Sequence, residues 1–421
     1  MSESKSTPRK NRTIVVEFIQ AEYELNMHDP LYFRNVIDFS IDRHPELFPF
    51  KLQDGYQMKD IYLSKKLSIT IRRIKVTVDN KTVYYTIRPS FVMPYLTGLV
   101  TDVEKPMMLR KFAVPFWALS YCFGRNPMYW YRMETFLGRY SIVGTTVHSA
   151  EKLPRHLAAD EKHTKIKGEK AYIPCIVGND CILGVAVKKS AAQTDLEEGY
   201  GVFKSEAHNL APNYCPDSIN TDGWLGTINS LKSLFPAAVL IACFLHIYIG
   251  IRDRSRKKYK DLFEKVSSKL WECYKADSKP SFSQRVRRLY EWGKTFEVPT
   301  FMMDKIQKIR NNLEKFTKVY DLPGSHRTSN MIDRLMQRMD RYLFNTQYFH
   351  GSIESAERGI RAWALIQNFA PSNPRTIQKY NGLQSSAERL NGFRYHDNWL
   401  QNLLISGSLG GFRSQIGRAH V

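Results

Sequence analysis

Three aspartates carry the chemistry this sequence could support: Asp160, Asp222 and Asp333. Asp222 stands in residues 218 to 226, Ser-Ile-Asn-Thr-Asp-Gly-Trp-Leu-Gly, where a short apolar lead runs into the acid and then Gly223. An amphipathic stretch from Thr227 to Leu234 follows, so the carboxylate is expected at a strand end, in the crevice where open α/β sheets place their chemistry. Asp160 ends an expected strand from Arg155 in the same way. Asp333 lies in the first turn of a helix expected over Asn330 to Phe344, at the edge of its apolar stripe. Gathered carboxylates supply the hard anionic oxygens that divalent cations need, and such cations activate an attacking oxygen and stabilise a leaving one at phosphorus. Each acid alone also has a plainer reading. Asp-Gly is the commonest hairpin dipeptide, and Asp333 would serve equally to complement its helix dipole or pair with an arginine.

The elements that must position these acids are legible as patterns. Ala171 to Val177 and Cys181 to Val187 read as apolar strands joined by the turn Gly178-Asn179-Asp180. A helix is expected over Asp195 to Leu210, with Glu197 and Glu198 in its first turn. Then come the strand before Asp222, a helix to Leu234 and a fifth strand within Ala237 to His246. Three consecutive strands, then helix, strand, helix and strand, make an α/β module with a mixed sheet, in which Asp160 and Asp222 end neighbouring strands. After Ile251 the sequence turns basic, with Arg252, Arg254, Arg256, Lys257, Lys258 and Lys260, and stays helical in period to about Tyr320. This reads as a helical insertion. In the helix from Asn330, Ile332, Leu335, Met336, Met339 and Leu343 form the core stripe, and Arg334, Arg338 and Arg341 run alongside it. A second helix covers Ser355 to Phe369 and ends at Asn373-Pro374. Trp224 reads as a core residue.

The N-terminal third is less regular. Residues 1 to 13 form a basic tail without the apolar content to fold alone. Residues 14 to 105 contain a β-hairpin, Leu67 to Val78 and Thr82 to Val92, around Asp79-Asn80-Lys81. Residues 106 to 152 read as helical, with Asn126 as N-cap and Pro127 in the first turn of the helix to Leu137. Gly138 ends it, and a further segment runs from about Gly144 to Glu151. Two short helices about a glycine-containing turn have the outline of a helix-turn-helix, which any small three-helix core shares.

The chain has 421 residues, with 62 Lys and Arg against 41 Asp and Glu, a formal charge of +21. That field favours a polyanion as partner, nucleic acid or an anionic membrane surface, although merely basic soluble proteins share it. The apolar run from Phe235 to Ile251 contains His246 and is shorter than the roughly 20 residues a membrane span needs. A buried strand continuing into a helix accounts for it better. The six cysteines lack paired zinc spacing and no signal peptide opens the chain, so free thiols and a cytoplasmic location are expected.

Taken in order, these features resemble the DDE-type transposases of prokaryotic insertion sequences, whose catalytic core is ribonuclease-H-like. Ala159-Asp160-Glu161-Lys162, with Lys165 and Lys167 following, is similar to the strand that bears the family's first acid, and Thr221-Asp222-Gly223-Trp224 to its second. Cys243-Phe244-Leu245-His246 is similar to the Cys-x-x-His of Mutator-like members that carry a helical insertion before the third acid. Asn330-Met331-Ile332-Asp333 resembles the family's Asn-x-x-Glu, with aspartate for glutamate. Asp340, Glu354 and Glu357 are the fallback third acids.

The resemblance implies a ribonuclease-H-like core over residues 153–251 and 322–374, split by an insertion over 252–321, preceded by a helix-turn-helix for end recognition and followed by a segment from 375. It implies two Mg²⁺ ions, with Mn²⁺ as substitute, Asp160 bridging both and Asp222 and Asp333 each holding one. Cys243 and His246 then have a packing or hydrogen-bonding role near the site. Arg254, Arg256, Lys257, Lys258, Arg334, Arg338 and Arg341 are the candidates for DNA backbone contacts. The partners implied are double-stranded DNA and a second copy of the chain, a homodimer on DNA, without a membrane; the location is the prokaryotic cytoplasm, at the nucleoid. A catalytically inactive DNA-binding regulator and a nuclease that cleaves without joining are the rival readings. Residues 415 to 421 resemble the translation of a common sequencing adaptor, so no structural role is expected of them.

Overall fold

A computed structural model describes residues 11–78, 81–255 and 257–413. Most of the expected basic tail, the hairpin turn at 79–80, Arg256 and residues 415–421 lie outside the described residues. The chain is mixed α/β with two mixed sheets.

The first sheet holds β1 (Thr13–Val16), β2 (Gln57–Ser64), β3 (Ile69–Val78) and β4 (Lys81–Pro89) in the order β1-β4-β3-β2. The expected hairpin is β3 and β4, with Val78 opposite Lys81. Between β1 and β2 lie α1 (Gln20–Asn26) and α2 (Pro30–Arg43). After the sheet come α3 (Val100–Lys111), α4 (Phe116–Phe123), α5 (Pro127–Leu137) and α6 (Ile142–Thr146). The Asn126 side chain caps α5 by accepting from the Tyr129 N–H at 2.8 Å, as its sequence signature predicts.

The second sheet is β5 (His156–Ile166), β6 (Glu169–Gly178), β7 (Cys181–Val185), β8 (Ser218–Thr221) and β9 (Val239–Ala242), ordered β7-β6-β5-β8-β9. β5, β6 and β7 are antiparallel, while β8 runs parallel to β5 and β9 parallel to β8. Helices α7 (Gln193–Leu210) and α8 (Leu225–Leu234) pack on one face. The apolar run after Pro236 is indeed a strand passing into a helix, β9 into α9 (Phe244–Ser255). Then α10 (Lys260–Tyr274), α11 (Lys279–Thr295), α12 (Thr300–Asn311) and α13 (Leu313–Thr317) enclose a core of their own with α9, around Phe244, Val266, Leu270, Phe282 and Ile306. The helical body thus begins at Phe244 rather than residue 252. It ends before α14 (Asn330–Asn345), which α15 (Ile353–Phe369), α16 (Pro374–Lys379), α17 (Ser386–Asn391) and α18 (Trp399–Ser406) follow. No helix among the described residues is long and apolar enough to cross a membrane.

One sequence expectation needs correction. The second helix of the expected helix-turn-helix, α6, is not free to read a groove. All five residues of α6 are buried, and a Cβ on its Gly144 would stand 1.8 Å from the Gly411 carbonyl oxygen. A recognition helix needs a solvent face to enter a groove, and α6 has its backbone pressed against the C-terminal segment. Residues 14–105, 106–152 and 375 onward share a core. Ile14, Ile74, Met107, Trp130, Trp363 and Trp399 belong to one hydrophobic cluster that reaches the sheet at Ala158 and Ile173. The Val15 N–H donates to Ser408 Oγ at 2.9 Å, tying the first strand to the end of the described chain.

Within that core, Arg110 of α3 pairs with Glu134 of α5, both side chains 1% exposed, and Tyr342 of α14 donates to Glu134 at 3.1 Å. Breaking such a pair strands a buried charge, whereas replacing both partners with apolar groups removes the desolvation cost as well. Arg110→Ala should therefore lower stability by about 3–5 kcal/mol. The double variant Arg110→Met, Glu134→Leu should recover most of that loss, as read from urea unfolding midpoints. A single variant within about 1 kcal/mol of wild type would remove this pair from the account.

Candidate functional site

The parallel pairing of β5 with β8 sets Ala158 opposite Asn220. Two residues further on, Asp160 and Asp222 leave the same edge side by side. Asp160 is not at the end of its strand, because β5 continues to Ile166 against β6. It is at the end of the pairing with β8, since β8 stops at Thr221. The cause of that stop is local: Gly223 takes φ +90, and Asp222 Oδ1 accepts from the Trp224 N–H at 2.9 Å. This left-handed position suits glycine. The Asp-Gly pair therefore turns the chain from a strand into α8 and is no hairpin.

Asp333 arrives from the far side of the insertion. Its Oδ2 accepts from Ser329 Oγ at 2.8 Å. The Cys243 thiol donates to Ser329 Oγ at 3.1 Å and accepts from the Ser329 N–H at 3.2 Å. The Cys243 N–H in turn donates to the Thr221 carbonyl at 2.8 Å. An unbroken chain of bonds thus runs from the end of β8 through Cys243 and Ser329 to Asp333. One ligand atom each of Asp160, His246 and Asp333 lie within 4.8 Å of one another. Asp222 adjoins this group and acts electrostatically on both Asp160 and His246.

The charges are tightly coupled. Burial pushes Asp160 up to about 6; His246 opposes the rise, and Asp222 and Asp333 add to it. Burial works against charge on His246, yet Cys243, Asp160 and Asp222 hold it up at about 9. At neutral pH His246 is thus a cation among carboxylates. It offers positive charge and donors, and becomes a metal ligand only on losing its proton. Asp160 and Asp333 offer the oxygens a hard divalent cation takes, with Asp222 beside them. Asp160 and Asp333 open onto a cleft of about 930 Å³ that Arg252, Asp253, Arg334 and Asp340 also line.

The remaining sequence candidates are placed as follows. Asp333, rather than a fallback acid, is the one brought to Asp160. Asp340 faces the same cleft but is paired with Lys162 at 2.5 Å. Glu354 is in the first turn of α15, and Glu357 accepts from the Val187 N–H at 3.4 Å. Arg254 and Lys258 are exposed on the insertion, while Arg256 and the side chain of Lys257 lie outside the described residues. Arg334 lines the acid cleft; Arg338 and Arg341 line a different one. Trp224, read as core, is 38% exposed. It follows a turn that leaves the sheet, so its apolar character says nothing of its burial.

Sequence reasoning passed over Glu161. Alternation along β5 sends it to the face opposite Asp160, where Tyr200 and Thr227 donate to its Oε1. Burial raises it to about 7 despite those bonds. The alternation was readable, but not that both faces of the strand would be covered. No protein-family model matches the chain, and no curated protein matches it.

The raised Asp160 has a measurable consequence. Its folded value exceeds the unfolded one, so between about pH 4 and pH 6 the unfolded state binds fewer protons. Stability therefore falls as pH rises through that window, by up to about 3 kcal/mol at neutral pH. Asp160→Asn should melt several degrees above wild type at pH 7.5 in EDTA, and the difference should close near pH 4. Equal melting temperatures across that range would show that the carboxylate carries no burial cost.

Proposed function

We propose that this chain is a DNA transposase of the insertion-sequence type, with a ribonuclease-H-like core interrupted by the helical body of α9 to α13. The observation that carries the reading is the convergence of three acids from separate places: two neighbouring parallel strands, and the helix that follows the insertion. The sheet order supports it, with three antiparallel strands and two more added parallel to the first.

Bound at Asp160, Asp222 and Asp333, two Mg²⁺ or Mn²⁺ ions would supply activation of the attacking oxygen and charge stabilisation at the leaving one. The chain's own residues do the rest. Asp160, on which both Asp222 and Asp333 act electrostatically, would hold the ions together with those two acids. The turn at Gly223 fixes the Asp222 carboxylate, and Ser329 orients that of Asp333. His246 brings positive charge to the reacting phosphate and keeps the acids together. In the first step a water oxygen bonds to phosphorus and the bond to a 3′ oxygen breaks, leaving that oxygen protonated as a free hydroxyl. In the second, this hydroxyl bonds to a target phosphorus and displaces another 3′ oxygen. Duplex contact falls to exposed cations of the insertion such as Arg254 and Lys258, because α6 is buried. On this reading the enzyme acts as a dimer that joins two ends.

The test uses purified protein, Mg²⁺ or Mn²⁺, and DNA carrying the sequences that flank its gene. Alanine at Asp160, Asp222 or Asp333 should cut both cleavage and strand transfer by at least about 10²-fold, the scale of losing one charge-stabilising group, with DNA binding within twofold. Cleavage without joined product would favour a nuclease, and wild-type protein that binds the DNA but neither cleaves nor joins it would favour a regulator.

A further inference from the structure

The cations of α14 do not face the acid cleft alone. A second cleft of about 910 Å³ lies along the helix, and six cations line it: Lys111, Arg334, Arg338, Arg341, Lys379 and Arg389. Asp180 is the single acid among its described lining residues. The cations come from α3, α14, α16 and α17, so the charge is gathered by the fold and not by one helix face.

Several of these groups are held in place. Lys111 donates to the Pro371 carbonyl at 2.7 Å, and Arg389 to Ser372 and Ser386 at 3.1 and 3.0 Å. The Arg389 guanidinium lies 5.0 Å from the centre of the Tyr380 ring, and the Lys379 ammonium 5.3 Å from it. Burial drives Lys111 down to about 7, with the charges of Arg338 and Arg389 adding to the effect. Like charges this close repel, and an anion between them would reverse the sign of the energy. At the same cleft Phe112 is 63% exposed, an aromatic face left in water.

Fixed cations beside an open aromatic ring are what a single nucleic-acid strand requires, for phosphates and for a stacked base. The volume is near the upper end for one small-molecule ligand, so it admits a short length of one strand and does not enclose a duplex. Arg334 lines both this cleft and the acid cleft. We propose that the cleft bounded by α3, α14, α16 and α17 binds a single-stranded segment of nucleic acid, with Phe112 stacking on a base and the cations of α14 and α16 on phosphates. Its direction toward the acids rests on the phosphoryl-transfer reading. The binding itself does not.

The experiment is fluorescence anisotropy of labelled oligo(dT) and of a blunt duplex of equal length, with the full chain in EDTA. Phe112→Ala should weaken oligo(dT) binding about tenfold. Arg338→Gln combined with Lys379→Gln should weaken it similarly and flatten the salt dependence by about 0.7 for each cation lost. Duplex affinity should stay within twofold for both, and melting temperatures should report intact folds. Oligo(dT) affinity unchanged in the variants, or lost in parallel with duplex affinity, would overturn the proposal. So would displacement of oligo(dT) by tripolyphosphate at equal phosphate concentration, which would mark a site for small anions. Asp160→Asn should bind oligo(dT) like wild type, so loss of strand transfer elsewhere leaves this result standing.

Discussion

Everything at the candidate site follows from one constraint: carboxylates that repel one another are held together out of full contact with water. Asp160 is raised by its burial, and the charges of Asp222 and Asp333 raise it further. An arrangement of that kind persists only where the surrounding structure outweighs it. Here the counterweight is the bonding chain from Thr221 through Cys243 and Ser329 to Asp333, with His246 as a cation among the acids. Cys243 and His246 are thus more than neighbours of the site. One anchors the segment that carries the third acid, and the other supplies compensating charge.

The same constraint explains how a large insertion can sit inside the module. Between Cys243 and Ser329 the chain departs, builds a separate core and returns. The departure and return points are bonded to each other, with the Phe244 N–H donating to the Arg327 carbonyl at 3.2 Å and Asn220 Nδ2 to the His326 carbonyl at 2.9 Å. A closed neck brings the segment that carries Asp333 back beside the strand end from which the chain departed. Loop-closure entropy grows only slowly with length, so a folded insertion of this size adds little cost beyond that of a shorter connection. Phe244 belongs to the insertion core and Cys243 to the site, while α9 serves both, with Phe244 and Ile247 in that core and His246 at the acids.

The parts of this arrangement that were legible in the sequence are those encoded by local periodicity. The stripe of Ile332, Leu335, Met339 and Leu343 fixes both the existence and the facing of α14, and with it the placement of Asp333 in the first turn. The order of strands and helices from His156 to Ala242 follows from apolar runs and turn residues. What was not legible is burial that depends on distant chain. The helix-turn-helix outline in residues 106–152 is a true description of α5 and α6 as local elements, and fails because Gly411 covers α6. Trp224 and Glu161 fail in opposite senses: an apolar residue is left in solvent, and an acid is enclosed between α7 and α8. Neither outcome has a signal within a few residues of its position.

α14 shows how one helix can carry opposed electrostatics without cancelling them. Asp333 and Asp340 lie seven residues apart on one flank, Arg338 and Arg341 turn toward another, and Arg334 lines both clefts. No arginine of α14 stands three or four residues from Asp333 or Asp340, the spacings at which helix-surface charges pair, and Asp340 reaches across to Lys162 on β5. The buried stripe holds the rotation of the helix, since turning it to relieve either flank would expose Ile332, Met339 and Leu343, which are almost wholly buried. Apolar packing therefore sets where the charges point. A rotation of the helix large enough to carry either flank away from its cleft would cost several buried side chains, each worth about 1.5–3 kcal/mol, so Asp333 and Asp340 stay at one cleft and Arg338 and Arg341 at the other.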